Sequence, residues 1–443
     1  MLLLDVTVVN VALPAIQADL GASFAELQWV VDAYALALAA TLLAAGVLAD
    51  RLGRRVVFAA GLLAFTAASA MCGAVQSPTA LDLARAVQGV GGAAIFSASL
   101  ALLAQEFRGA ERALALTVWG AITGGALAVG PLVGGLVVDG LGWRWIFFVN
   151  LPIGGLLAWL TWTRLPESID PTPRRLDLAG MVTFGGACAF GTLALIRGDG
   201  DGWTSPLVLS AAIASVALLT AFAAVERRVV EPMLPLGLFR LPAFTGTALV
   251  AFTQSFALYP LFLFLAVYLQ DALGYSPTGT GLRLLPLTLT LFVVAPISGK
   301  LTQRLPLRVP LTAGLALIAA ALLLMHGLTT RDTWTALLPG FLVGGVAIGT
   351  ISPALAAAMV SVLSVEQSGL AAGVNNTFRQ LGIAVGIAAL GAIFTAHDDP
   401  IAGLNAIFLS SAAVAALGAL VAWPLLGDLR SDAANADSRP DGR

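Results

Sequence analysis

Charge is what this chain has least of. Asp, Glu, Lys and Arg make up 11% of its 443 residues, against roughly 25% in a soluble globular domain. With 58% of the residues hydrophobic, a water-filled surface around a soluble core is excluded. Cysteine is scarce too: Cys72 and Cys188 each lie inside an apolar stretch, which argues against both a disulfide framework and a metal site. No GxxxxGK, HExxH or GxSxG pattern occurs, so ATP does not drive the protein and hydrolysis has no visible basis. No enzyme activity, cofactor, metal or nucleic-acid partner is expected. The net charge of −2 says little about partners, because orientation in a bilayer follows the placement of Lys and Arg.

What is abundant is apolar runs of about 18 to 25 residues, the length that spans a bilayer, where each backbone amide must bond within its own segment. Between polar breaks they fall near 1–18, 27–48, 56–75, 80–102, 114–138, 145–164, 178–196, 207–225, 242–268, 282–300, 310–328, 335–360, 370–396 and 404–426. The reading is an all-α polytopic membrane protein with fourteen transmembrane helices. No charged segment precedes "MLLLDVTVVNVALPAIQ", and that run carries Asp5, so a cleaved signal peptide is not expected. Alternate gaps hold Arg51, Arg54, Arg55, Arg108, Arg112, Arg174, Arg175, Arg304 and Arg308 among others, while the opposite gaps hold chiefly Arg144 and Arg331. The positive-inside rule then puts both termini in the cytoplasm. Basic residues comprise 22 arginines and one lysine, a bias typical of GC-rich bacterial genomes, so a bacterial cytoplasmic membrane is the expected site.

"GVLADRLGRR" at 46–55 returns as "GKLTQRLPLR" at 299–308, an offset of 253 residues. The same offset carries Gly91-Gly92 onto Gly344-Gly345. It maps the loop after span 2 onto the loop after span 10, predicting two parallel six-helix halves with two extra helices between them, an architecture of secondary transporters. The expected divisions are an N-terminal bundle over 1–164, two linker helices with cytoplasmic loops over 165–241, a C-terminal bundle over 242–426, and a disordered cytoplasmic tail over 427–443.

"GVLADRLGRR" resembles the loop 2–3 signature of the major facilitator superfamily. "RAVQGVGGAA" at 85–94 resembles its helix 4 motif and "AVGPLVGG" at 128–135 its exporter helix 5 motif. "LDVTVVNVALP" at 4–14 and "WRWIFFVNLPIG" at 143–154 resemble its fourteen-helix drug:proton antiporter branch. The resemblance implies the major facilitator fold, two bundles rocking about a central cavity, and export driven by inward proton flow. It makes Gly46, Asp50, Arg51, Gly53, Arg54 and Arg55 a conformational switch, with Asp50 meeting the helix start near Gly369; the alternative is that the arginines only fix topology. In span 5, Gly130-Pro131 predicts a kink, flanked by Gly124, Gly125, Gly134 and Gly135 as close-packing surfaces.

Few ionisable residues lie inside the apolar spans, each costing at least about 2.5 kcal/mol on insertion scales: Asp5, Asp32, Arg85 and Arg379. Arg85 and Gln88 share a helix face, and the resemblance makes Arg85 the proton-relay arginine. At about 1.5 Å per residue, Arg85 and Asp32 lie at one depth and Asp5 roughly 10 Å deeper, so Asp5 meets Arg85 only if the arginine reaches inward. Asp5 and Asp32 are expected to divide proton coupling, with a cationic drug competing for Asp32. Alternatively, Asp5 packs helices and Asp32 is a structural partner of Arg85.

"AGVNNTFRQLG" at 372–382 resembles the family's helix 13 pattern and offers Asn375, Asn376 and Arg379. Span 9 offers Gln254, Phe256, Tyr259, Phe262 and Tyr268 as an aromatic wall for a lipophilic cation. The expected function is proton-coupled antiport of hydrophobic or monocationic drugs by a monomer in the lipid bilayer, giving multidrug or antibiotic resistance. The alternatives are a dedicated exporter of one endogenous metabolite or antibiotic, and a passive carrier, against which the titratable residues speak.

Overall fold

In the computed structural model the described residues are 1–106, 122, 125–126, 129–169, 176–302, 304–362, 368–427 and 429. Arg108, Arg112, Gly124, Arg174, Arg175 and nearly all of the tail from 427 onward lie outside them, and of Gly369 only its place in a helix is described. The elements are helical: α1 (Leu2–Leu20), α2 (Phe24–Leu52), α3 (Arg54–Ala74), α4 (Pro78–Glu106), α5 (Val129–Leu141), α6 (Trp145–Arg164), α7 (Leu178–Asp201), α8 (Pro206–Glu226), α9 (Pro242–Val267), α10 (Pro277–Thr302), α11 (Arg308–Met325), α12 (Leu338–Val362), α13 (Ser368–Thr395) and α14 (Pro400–Leu426). Twelve of them are long and apolar enough to cross a bilayer, α1 and α5 standing outside that set. The expected fourteen spans therefore meet twelve helices of qualifying length among the described residues. Most of the stretch from 107 to 128, on the N-terminal side of α5, is not described.

The breaks have local causes. Gly21 ends α1 in the left-handed region at φ 62°, and Ser23 and Glu26 form a reciprocal capping box at the start of α2. Ser205-Pro206 and Asp399-Pro400 open α8 and α14, the polar residue capping and the proline taking the first helical position. Arg144, in the gap between α5 and α6, pairs with Asp19 at 2.5 Å.

The chain divides into two compact units. The first holds residues 1–235 with Leu265–Leu282 and Ile387–Ala392, and the second holds Leu236–Phe264, Arg283–Gly386 and 393–443. Small residues let helices meet backbone to backbone in each, as lipid-embedded packing favours. In the first unit, a Cβ on Gly61 would lie 2.8 Å from the Ala94 Cβ; in the second, one on Gly314 would lie 3.3 Å from the Ala347 carbonyl oxygen. Both members of the second pair sit 253 residues after those of the first. The repeat read from two loop arginines thus extends into the helix contacts of each unit.

Candidate intramembrane charge site

Arg85 on α4 is the largest fully buried side chain of the first unit, 1% exposed. Its guanidinium is held by three helices. Nε donates to the Val30 carbonyl of α2 at 3.0 Å, and Nη1 donates to Asp5 of α1 and to Gln88, both at 2.6 Å. The ring of Tyr34 lies 4.4 Å from the guanidinium carbon and that of Phe147 5.9 Å away. Gln88 turns its amide nitrogen to the other oxygen of Asp5 at 3.1 Å and to Ser69 of α3 at 2.7 Å. Asn150 of α6 donates to Asp5 and Ser69, each at 3.3 Å. Five helices thus converge on one ion pair with each carboxylate oxygen satisfied. Such burial is tolerable only when the remaining hydrogen-bonding capacity is met.

Asp32 on α2 is the opposite case: it is fully buried and neither carboxylate oxygen has a hydrogen-bond partner. Depth alone made Asp32 the level partner of Arg85, and the structure corrects this, since the guanidinium pairs with Asp5. The physical reason is azimuth. Val30 and Asp32 are two residues apart and face different sides of α2, and the Nε bond to Val30 turns the guanidinium to the α1, α3 and α6 side. One turn before Asp32, Gln28 donates to the Ile387 carbonyl at 2.7 Å within the same unit.

The loop between α2 and α3 carries its own ionic cluster. Asp50 accepts from Arg54 at 3.0 Å, and Arg55 packs over Trp162 while its backbone N–H reaches Glu167 at 3.1 Å. Arg51 is exposed, and Gly46 meets the Ser97 Cβ at ordinary van der Waals distance. Gly53 sits at φ 107° with Glu167 against its α-carbon. In α5, Gly130 lies against Thr7 and Gly134 against Val8 of α1, while Gly135 meets Pro277, and the Pro131 carbonyl meets Gly281. Gly125, expected as a packing surface, has no atom of the described residues within 4 Å of where its Cβ would stand.

In the second unit, Arg379 of α13 donates through Nη2 to the Tyr259 hydroxyl of α9 at 2.8 Å. Gln254 and Asn376 are buried, Phe256 and Asn375 half-buried, and the Asn375 Oδ1 is shut off from solvent without a partner. Of the expected aromatic wall, Tyr268 falls in the first unit and Phe256, Tyr259 and Phe262 in the second; α9 passes into a π turn at Tyr268–Ala272. Ser69, Asn150, Tyr34 and Glu167 were not singled out by the sequence. Asn150 lay within a quoted motif, whereas Ser69 and Glu167 carried no local signal. No cluster of metal-ligating side chains occurs among the described residues.

A bundle of apolar helices organised around a sealed, hydrogen-bonded charge site defines a polytopic membrane carrier. Over residues 1–387, and again over 244–443, the chain matches the family described as the Major Facilitator Superfamily. It is 37% identical over 424 residues to the "Methylenomycin A resistance protein" of Streptomyces coelicolor, covering 96% of this chain and 89% of that protein. It is 37% identical over 398 residues to the "Multidrug resistance protein Stp" of Mycobacterium tuberculosis, covering 89% of this chain and 74% of that one. Among solved structures, a POT family transporter in complex with a thioalcohol-conjugated peptide aligns with a TM-score of 0.68 at 13% identity, over 95% of this chain and 94% of the other. The chain belongs to the Major Facilitator Superfamily: it is a multi-pass membrane transporter and not an enzyme.

Proposed function

We propose that the protein is a proton-coupled antiporter that exports hydrophobic or monocationic drug-like compounds across a bacterial cytoplasmic membrane. The observation that carries the reading is the contrast between its two intramembrane carboxyls. Asp5 is fully bonded to Arg85, Gln88 and Asn150, and Asp32 is fully buried with no partner. A carboxyl without partners in an apolar medium is costly when charged; a proton or a substrate cation relieves that cost. Protonation of Asp5 would release Arg85 from its ion pair, and the buried network would have to rearrange. Each proton entering contributes about 2.3 kcal/mol per 100 mV of membrane potential.

In this reading α1 and α5 complete fourteen spans with both termini cytoplasmic, residues 1–164 and 242–426 form the moving bundles of a monomer, and 165–241 link them. Gly46, Asp50, Arg51, Gly53, Arg54 and Arg55 with the Gly130–Gly135 stretch serve the conformational switch; Gln88, expected as a substrate contact, is committed to the Arg85–Asp5 network of the first unit, and Gln254, Phe256, Tyr259, Asn375, Asn376 and Arg379 are the proposed substrate contacts of the second unit. The test is pH-gradient-driven uptake of ethidium into proteoliposomes. Collapse of uptake by a protonophore, and its loss in Asp5→Asn, is the expected result; uptake that survives both removes the proton coupling. A second reading, a dedicated exporter of one antibiotic or metabolite, is supported by the relative named for methylenomycin A resistance. A resistance panel of dyes, quaternary amines and antibiotics in a pump-deficient host separates the two.

A further inference from the structure

The six helices α9 to α14 contain not one Asp or Glu, yet α13 carries Arg379 twelve residues into its 28-residue span. At about 1.5 Å per residue that is roughly 16 Å from the helix start, near the middle of a bilayer. In the first unit the corresponding expense is met inside the protein, by Asp5, Gln88 and the Val30 carbonyl around Arg85. In the second unit nothing equivalent is present. The described partner of Arg379 is the Tyr259 hydroxyl, at 2.8 Å from Nη2, and no ion pair among the described residues involves it. A phenol accepts one hydrogen bond without neutralising the charge, and it keeps its own O–H to donate. Four of the five guanidinium N–H donors are left for something else.

One turn back along the same face of α13 stands Asn375, whose Oδ1 is buried and unsatisfied. It lines a recess with Phe244, Thr247 and Ala248 of α9, Met359 of α12 and Val374. The Thr247 hydroxyl is already committed to the Ala243 carbonyl at 2.7 Å, so the polar edge of this recess is Asn375. The geometry points to a subsite in the second unit for an oxyanion, a carboxylate or phenolate, carried on an apolar or aromatic frame. The oxyanion takes the free donors of Arg379 and the hydroxyl of Tyr259; the Phe244–Met359 recess beside Asn375 has room for about one water as it stands and does not itself hold the frame. The subsite rests on the export reading and parts from it on charge: Arg379, placed above on a path for hydrophobic or monocationic compounds, has no acid in its bundle, so it repels a cation and is stabilised by an anion.

The test uses two xanthene dyes of like shape and opposite charge, fluorescein and rhodamine 123, and the full-length purified protein in detergent. Fluorescence anisotropy gives equilibrium affinity, independent of any proton gradient. Wild type binds fluorescein; Arg379→Gln weakens it by about tenfold or more, equivalent to ~1.4 kcal/mol, and leaves rhodamine 123 unchanged or tighter. Arg379→Lys, which keeps the charge but not the fork, recovers part of the fluorescein affinity. Tyr259→Phe, a milder change that keeps the ring, weakens fluorescein binding by a few fold. Equal losses for both dyes in Arg379→Gln, or a wild type that binds rhodamine 123 but not fluorescein, would overturn the subsite. Pairing the same proteins with flux measurements separates the two readings: charge-selective binding without any pH-driven flux of either dye sinks export and leaves the subsite standing.

Discussion

Glu167 occupies the space in which a Cβ on Gly53 would have to sit: its Cδ lies 2.5 Å from that position. The same carboxylate accepts the Arg55 backbone N–H at 3.1 Å and the Ser168 N–H at 2.9 Å. It therefore satisfies one of the free amides at the start of α3 from a residue 112 positions away. The glycine is demanded twice, by φ 107° and by this close approach. Gly53→Ala is expected to destabilise by about 1–3 kcal/mol from the backbone conformation alone, with displacement of Glu167 added. Glu167→Ala removes the cap at a cost of about 1 kcal/mol. Thermal melts followed by size-exclusion fluorescence check both; a Gly53→Ala melt equal to wild type contradicts the local account.

The Asp5–Arg85 pair predicts a non-additive cycle. Arg85→Gln leaves a buried carboxylate without its cation and is expected to cost about 3–5 kcal/mol. In Asp5→Asn with Arg85→Gln, amide faces amide, and the double variant is expected to melt above Arg85→Gln alone. Coupling is expected because the two residues share one hydrogen-bond network. Additive shifts would mean that the ion pair contributes nothing as a pair.

Asp32 predicts the reverse. Since neither oxygen is hydrogen-bonded, Asp32→Asn breaks no hydrogen bond and no ion pair, and the melting temperature is expected to stay level or rise, while pH-driven transport falls by at least about tenfold, equivalent to ~1.4 kcal/mol, as loss of a coupling group requires. A variant that unfolds would show Asp32 to be structural.

The repeat predicts matched effects in the two units. Gly61→Val forces a branched side chain into Ala94, and Gly314→Val forces one into Ile351, with the Ala347 carbonyl oxygen next nearest; each is expected to cost about 1–3 kcal/mol as overpacking. Gly125→Val, where no atom of the described residues lies within 4 Å of the Cβ position, is the control and should melt near wild type. Unequal effects at Gly61 and Gly314 would show that the 253-residue correspondence does not reach the packing.

Much of this was legible because lipid imposes its rules on the sequence itself. Long apolar runs and the polar, arginine-bearing gaps between them announce helices and their ends without tertiary information. Arg85 and Gln88 were legible because three residues apart on a helix is one face. The partner of Arg85 was not, since a sequence gives depth along a helix more readily than rotation about it, and rotation sends the guanidinium to Asp5 and leaves Asp32 alone. Glu167 was invisible for a different reason: its role depends on a contact across 112 residues of chain. Arg379 was legible as an expensive charge, but its pairing with a tyrosine, in helices without acids, emerged only when α9 and α13 were placed side by side.

The most direct test of the account is proton movement itself. Proteoliposomes containing the protein and an internal pH-sensitive dye are given external ethidium with no imposed gradient. Ethidium entering down its gradient drives protons outward in an antiporter, so wild type is expected to alkalinise the lumen in step with ethidium uptake, and Asp5→Asn and Asp32→Asn to give no proton signal. Ethidium flux through wild type with no accompanying pH change would contradict the claim that these two carboxyls couple protons to export.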